Sequence, residues 1–361
     1  MTGHVPEREA ALAHLAGFVP RMGERYARRR NYVEHGADGP TSALSPWLST
    51  GLLTEREVLA TALEAHGAEA AASFVREVFW RLYFRGWLEH RPEVWTRYRE
   101  DVTRLASLHA GTEGWRRAVS GETGIECYDT WLAELVETGW LHNHVRLWFA
   151  SIWIFTLGLP WQLGADLFLR HLKDADAASN TLSWRWVAGL HSRGKHYVAH
   201  ADNIATFTEG RFTPTGLADD PEPLAWDDPP DPVWPEAAPV RDGDLHVATQ
   251  ENLAPVRDGT AALVLAPVPL SPEGGTVGER FRTDAVARCG ARVVAPEDLP
   301  PGRIVVHAHP TGPVADRLAR LDREIVFARR TIDEVVWPHA TKGYFRLGKQ
   351  IPQLLSALSL S

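Results

Sequence analysis

The sequence predicts a mainly helical N-terminal domain followed by a smaller α/β domain with a mostly parallel sheet. Three observations predict it. Apolar residues recur at helical spacing through the first half, short β-branched runs alternate with helical stretches in the second, and an acidic, proline-rich segment divides the two.

In the first half, residues 55–65, 68–89, 129–137, 141–157 and 165–172 place apolar side chains three and four apart, as helices with one buried face do. Thr54 with Glu57 makes a capping box, and Ser45-Pro46 reads as an N-cap followed by proline in the first turn. The longest apolar run, 147–161, is about fifteen residues against the roughly 20 that a spanning helix needs, so it reads as a buried core helix.

Residues 219–239 carry seven prolines and seven acids (Asp219, Asp220, Glu222, Asp227, Asp228, Asp231 and Glu236), with no lysine or arginine. Such a stretch lacks the donors for helix or central strand and reads as a stiff, extended linker between domains 1–218 and 240–361. Beyond it, runs at 245–248, 261–266, 292–295, 304–307 and 324–328 alternate with helical stretches at 278–288 and 313–321. That alternation implies crossover helices and a mostly parallel sheet.

Apolar residues make up 44% and charged residues 23% of the 361, which excludes a wholly disordered chain. The formal net charge is −8, so nucleic acid would have to be drawn by a local patch. Basic and acidic residues number 23 and 25 up to residue 218, then 15 and 21 after it. Two cysteines, Cys127 and Cys289, exclude a disulfide scaffold and an iron–sulfur cluster, and no metal site is expected. The N-terminus lacks a signal peptide's apolar core, so a cytoplasmic chain without membrane contact is expected. Of 15 tryptophans, all but Trp226, Trp234 and Trp337 precede residue 190. They form either a large aromatic core or rings placed for stacking and electron transfer.

Four segments hold residues suited to chemistry. Thr41-Ser42-Ala43-Leu44-Ser45-Pro46 clusters hydroxyls at a helix start, where free N–H groups hold a diphosphate or simply cap the helix. Phe74, Glu77, Trp80, Arg81 and Phe84 share one side of a helix, as a core ion pair or as a pocket that stacks a base. In the third segment, 138–147, His142 and His144 face different ways and make no metal pair, while Asn143 shares a face with Leu147 and His142 with Arg146. The fourth, 174–186, has Asp174 and Asp176 ahead of a helix bearing Asn180 and Trp184, and reads as a hydrogen-bonded pocket wall.

Taken in order, with Trp161 placed 23 residues before Trp184, these segments resemble the flavin-binding domain of the photolyase/cryptochrome family over roughly residues 20 to 210. The resemblance implies that Tyr32, Thr41, Ser42, Leu44 and Ser45 hold the ribityl chain and diphosphate of FAD. It implies that Arg81, Trp140, Asn143, Arg146, Asp174, Asp176 and Asn180 surround its rings and adenine, with Asn180 opposite flavin N5. It further implies repair of cyclobutane pyrimidine dimers in UV-damaged DNA by an electron from light-excited reduced FAD. In that reading Glu77 bonds the flipped dimer, Trp80 stacks on it, Asn143 lines the pocket, and Trp184 and Trp161 carry electrons inward. The other reading is a cryptochrome-like blue-light or redox sensor with a protein partner.

The sequence departs from the family in five places. No tryptophan stands at 105–108, where the third of the usual electron-carrying series falls, and Trp115, Trp148 and Trp153 are the candidates to replace it. His144 replaces an arginine, Leu147 a methionine and Phe84 a tyrosine. The α/β segment follows the flavin domain, where the family's antenna domain precedes it, and no antenna chromophore is indicated.

Overall fold

A computed structural model of the chain describes residues 3–34, 39–234, 238–271 and 274–360. The N-terminal part runs α1 (Arg8–Phe18), α2 (Glu24–Arg29), α3 (Ser45–Ser49), α4 (Glu55–Ala70), α5 (Ala72–Glu89) and α6 (Pro92–His109). It continues with α7 (Glu113–Ser120), α8 (Glu126–Thr138), α9 (Asn143–Ser151), α10 (Trp161–His171), α11 (Ala177–Ala188) and α12 (Ala201–Phe207). The C-terminal part runs β1 (Leu245–Ala248), α13 (Ala254–Arg257), β2 (Leu263–Leu265), α14 (Val277–Arg288), β3 (Arg292–Val294) and β4 (Ile304–His307). It ends with α15 (Pro313–Leu318), β5 (Ile325–Phe327), α16 (Thr331–Val336), α17 (Tyr344–Gly348) and α18 (Ile351–Ala357). The expected fold class, helical and then α/β, is the one observed.

Local signals explain most boundaries. Thr54 and Glu57 form the capping box that starts α4, and Gly67, at φ +71°, breaks the pattern before α5. The single helix expected over 141–157 is instead α9 followed by a wider turn at Ile152–Thr156, where the Leu157 N–H reaches back to Ile152 O. That turn re-aims Trp153, which matters below.

The five strands are all parallel, in the order β3-β2-β1-β4-β5, with Val247 opposite Leu263 and His246 opposite Val305. Central strands covered on both faces read as unbroken apolar runs, as Ile304, Val305 and Val306 do.

One hydrophobic core joins the two parts: Ala248, Val264, Phe281 and Val336 pack in the same cluster as Phe79, Trp148 and Trp184. Gly86 on α5 is the notch for Trp337, whose ring would meet a Cβ there at 2.8 Å. The proline-rich stretch lies along the helices as a strap, with Leu224 N–H on Ala188 O at 3.0 Å and Val233 N–H on His90 O at 2.9 Å. Arg185 grips Asp227 through two bonds of 2.9 and 2.8 Å. Glu236 lies outside the described residues. No described helix is long and apolar enough to cross a membrane.

Candidate functional site

A cavity of about 480 Å³ opens among α2, α3, α5, α9 and α11, within the size range of cofactor sites. Its wall includes Thr41, Ser42, Leu44, Ser45, Arg81, Trp140, Asn143, Arg146, Asp174, Asp176 and Asn180, together with Glu77, Trp80 and Trp184.

Two histidines fix the Thr41–Ser45 turn. His4 Nε2 bonds Ala43 O at 2.9 Å and His14 Nε2 bonds Ser42 O at 2.8 Å, drawing both carbonyls to the outside of the turn. Ala43 at φ +49° followed by Leu44 at φ −81°, ψ −11° is the left-handed then right-handed backbone pattern of a nest, in which successive N–H groups converge. Burial pushes the His4 imidazole down to about 4, which keeps it a neutral clamp.

Behind the turn lies a buried charge network. Arg81 and Arg85 both reach Asp176 Oδ2, at 3.1 and 2.8 Å, and both reach Glu55 Oε1, at 3.1 and 3.2 Å. Arg330 closes on Glu55 at 2.6 Å from the C-terminal part. Burial opposes the charge on Glu55, yet the guanidiniums of Arg330, Arg85 and Arg81 outweigh it and hold the carboxyl well below its usual range. Asp176 is held down the same way, against burial, by Arg81 and Arg85, and also caps α11 by accepting from Ser179 N–H at 2.7 Å. Arg146 meets Asp174 at 2.9 Å and overcomes its burial.

A water-sized cavity of about 30 Å³ separates this network from the carboxyl ends of β1 and β4, lined by Glu89, Gln250, Glu251 and His309. Burial pushes Glu89 up to about 8, although Thr311 donates to both its oxygens.

Asn180 donates through Nδ2 to Ala165 O at 2.7 Å, which leaves Oδ1 as the group available to the cavity. Ser179 Oγ, also in the wall, is buried without a hydrogen-bond partner among the described residues, a position suited to a polar ligand. Nest, ion pairs, amide and orphaned hydroxyl together fit a long, anionic, partly aromatic cofactor.

Residues 74–214 match the family described as the FAD binding domain of DNA photolyase. Deoxyribodipyrimidine photo-lyases of Streptomyces griseus and Escherichia coli are 38% and 32% identical to 51% and 52% of this chain. The helical part of this chain is similar to the FAD-binding domain of the photolyase/cryptochrome family. The match covers 43% and 40% of those two relatives, so the chain spans about two fifths of their length. Solved structures of an Agrobacterium tumefaciens class III photolyase and a Synechocystis cryptochrome show 28% and 26% identity with TM-scores of 0.47 and 0.46. Each covers 56% of this chain, which in turn covers 42% and 43% of theirs.

Within this photolyase-type FAD-binding domain, two residues singled out from the sequence stand apart from the cavity. Tyr32 packs against Phe207 and under the Arg29 guanidinium, because it lies past the end of α2. Tyr26, six residues earlier and buried on α2, is the tyrosine in the wall. Trp161 stacks on Tyr98, ring centroids 5.6 Å apart, whereas Trp184 meets Trp153 at 6.2 Å and Trp153 meets Trp115 at 5.6 Å.

The structure adds contacts that the sequence does not give. Trp186 lines the cavity two positions after Trp184, and Arg30 reaches it from α2 to pair with Glu77. His144 stacks on Trp148 at 4.2 Å and bonds Tyr197 and Asn31 O. Burial lowers its pKa, so it brings no charge where the family carries arginine.

Proposed function

We propose that this cavity binds FAD and that the chain is a blue-light-driven DNA photolyase of cyclobutane pyrimidine dimers. The observation that carries this reading is the single wall that holds the anion-facing turn, the oriented Asn180 amide, and Glu77 with Trp80. The Ala43 and Leu44 N–H groups and the hydroxyls of Thr41, Ser42 and Ser45 take the diphosphate, while Arg81, Arg146, Asp174 and Asp176 frame the rings and adenine. When bound, reduced FAD supplies on blue-light excitation the electron that opens the dimer's ring bonds, and afterwards recovers it.

The chain's own residues do the rest. Asn180 presents an amide oxygen with no acidic proton. A dimer flipped from the duplex enters beside Trp80, which stacks on it, and Asn143; Glu77 accepts its hydrogen bond once released from Arg30. Trp184, Trp153 and Trp115 form a ring series from the cavity wall to a half-buried position. Residues 1–218 form the flavin-holding unit, 219–239 its strap, and 240–361 a supporting α/β unit.

Charge pairing favours a second reading, a cryptochrome-like light or redox sensor acting on a protein partner. Among the arginines near the site, Arg28 pairs with Glu24, Arg29 with Glu34 and Glu209, Arg30 with Glu77, and Arg185 with Asp227. A rim neutralised in this way offers few phosphate contacts.

Titration of FAD-loaded protein with labelled oligonucleotides separates the two. A photolyase prefers a strand bearing one thymine dimer over the undamaged strand by about tenfold or more and loses that preference in Trp80→Ala. Equal or absent binding of both strands at low salt favours the sensor.

A further inference from the structure

The last stretch of the chain differs in charge from the acidic part that precedes it. Residues 335–361 contain no Asp or Glu, and they carry Lys342, Arg346 and Lys349. In the structure this stretch is pinned beside the Glu77 end of the cavity. Arg91 holds Thr341 O at 2.8 Å, and the Tyr344 hydroxyl donates to Arg76 O at 2.8 Å on the turn of α5 that precedes Trp80. The Tyr344 ring lies flat on Trp80, centroids 3.5 Å apart and planes 11° from parallel.

Spacing decides what is left outside. Tyr344, Leu347 and Ile351 point into the core, so Lys342, Phe345, Arg346 and Lys349 share the opposite, exposed side. Phe345 is 78% exposed, the most open of the large apolar side chains described. None of the three cations has an acidic partner within salt-bridge distance among the described residues, in contrast to Arg28, Arg29 and Arg30. An exposed ring amid unpaired cations, fixed in place by a buried face, is how proteins hold a nucleic-acid strand by phosphate contact and stacking. A protein partner would be met by an apolar patch wider than one phenylalanine.

We infer that the exposed face of residues 342–349 is a DNA-contacting rim. It grips the phosphodiester backbone next to the lesion through Lys342, Arg346 and Lys349, and stacks Phe345 on a neighbouring base. This rests on the photolyase reading above. It gives the C-terminal α/β part a role in that reading, since residues 342–349 add cations where Arg28, Arg29 and Arg30 of the helical part are paired with carboxylates.

The test compares FAD-loaded wild type with Lys342→Gln/Arg346→Gln/Lys349→Gln, with Phe345→Ala, and with a control that removes equal charge at Arg97, Arg292 and Arg320, all exposed. Affinity for a dimer-bearing duplex is measured from low to moderate salt. The rim variant is expected to flatten the slope of log K against log [salt] by about 3, roughly one unit for each phosphate no longer neutralised. Phe345→Ala is expected to weaken binding about tenfold with the slope unchanged. The control is expected to match wild type, and all variants to keep their FAD. Wild-type binding with an unchanged slope in the rim variant, or an equal loss in the control, overturns the inference and leaves the photolyase reading standing. Absence of wild-type binding overturns both.

Discussion

Trp184 and Trp153 meet edge to face, with ring centroids 6.2 Å apart and planes at 89°. Trp153 is fixed by its Nε1–H bond to Pro160 O at 2.9 Å and meets Trp115, also edge to face, at 5.6 Å. These contacts join Trp184 to Trp153 directly, where the family resemblance implies Trp161 as the partner of Trp184 and offers Trp115, Trp148 and Trp153 for the third position. Trp153→Phe is therefore expected to slow photoreduction of bound FAD by an order of magnitude or more, whereas Trp161→Phe leaves most of the rate. Loss of oxidised-flavin absorbance under blue light with an external reductant measures both.

Gly164 is where α10 meets this series. A Cβ there would stand 2.3 Å from Trp184 Cη2 and 3.0 Å from Trp153 Cε2. Gly164→Ala forces both rings aside in a filled core, at a cost of about 1–3 kcal/mol. A lower thermal midpoint together with slower photoreduction is expected. An unchanged midpoint would mean that the core is looser than these contacts imply.

Asp176 joins the charge network to the cavity. Asp176→Asn leaves Arg81 and Arg85 short of a buried countercharge, a type of loss that costs about 3–5 kcal/mol. Equilibrium dialysis against FAD should show weaker retention in this variant, alongside a midpoint lowered by several degrees. Full FAD retention would place Asp176 outside the cofactor's support.

Burial pushes Glu89 up to about 8 and Glu251 up to about 7, against an ordinary value of 4.5. Between these limits the folded chain keeps protons that the unfolded chain has released. The stability these two groups contribute is therefore full below about pH 4.5 and is lost as pH rises from there through about 7 to 8. Melting curves across that window should show the decline, and Glu89→Gln should reduce it while Thr311 keeps a partner.

Much of this was legible in the sequence where the signal is local. Thr54 and Glu57 announce the start of α4, and the apolar runs at 245–248 and 304–307 coincide with β1 and β4. The cavity residues were legible because their motifs hold fixed spacings along single elements. The sequence says least where three-dimensional aim decides. Tyr26 and Tyr32 flank the same basic run, and only the buried side of α2 tells which one meets the cavity. The family resemblance pairs Trp161 with Trp184, whereas the ring contact in the structure joins Trp184 to Trp153, within the wider turn at Ile152–Thr156. The Trp80–Tyr344 stack joins residues far apart in the chain, and no local rule foretells such a contact.

The most direct measurement gives reduced, FAD-loaded protein an oligonucleotide carrying one thymine cyclobutane dimer and follows restored thymine in blue light and in the dark. The account predicts restoration in the light alone, with each protein molecule repairing many dimers. A dimer left intact in the light by protein that demonstrably holds FAD would contradict it.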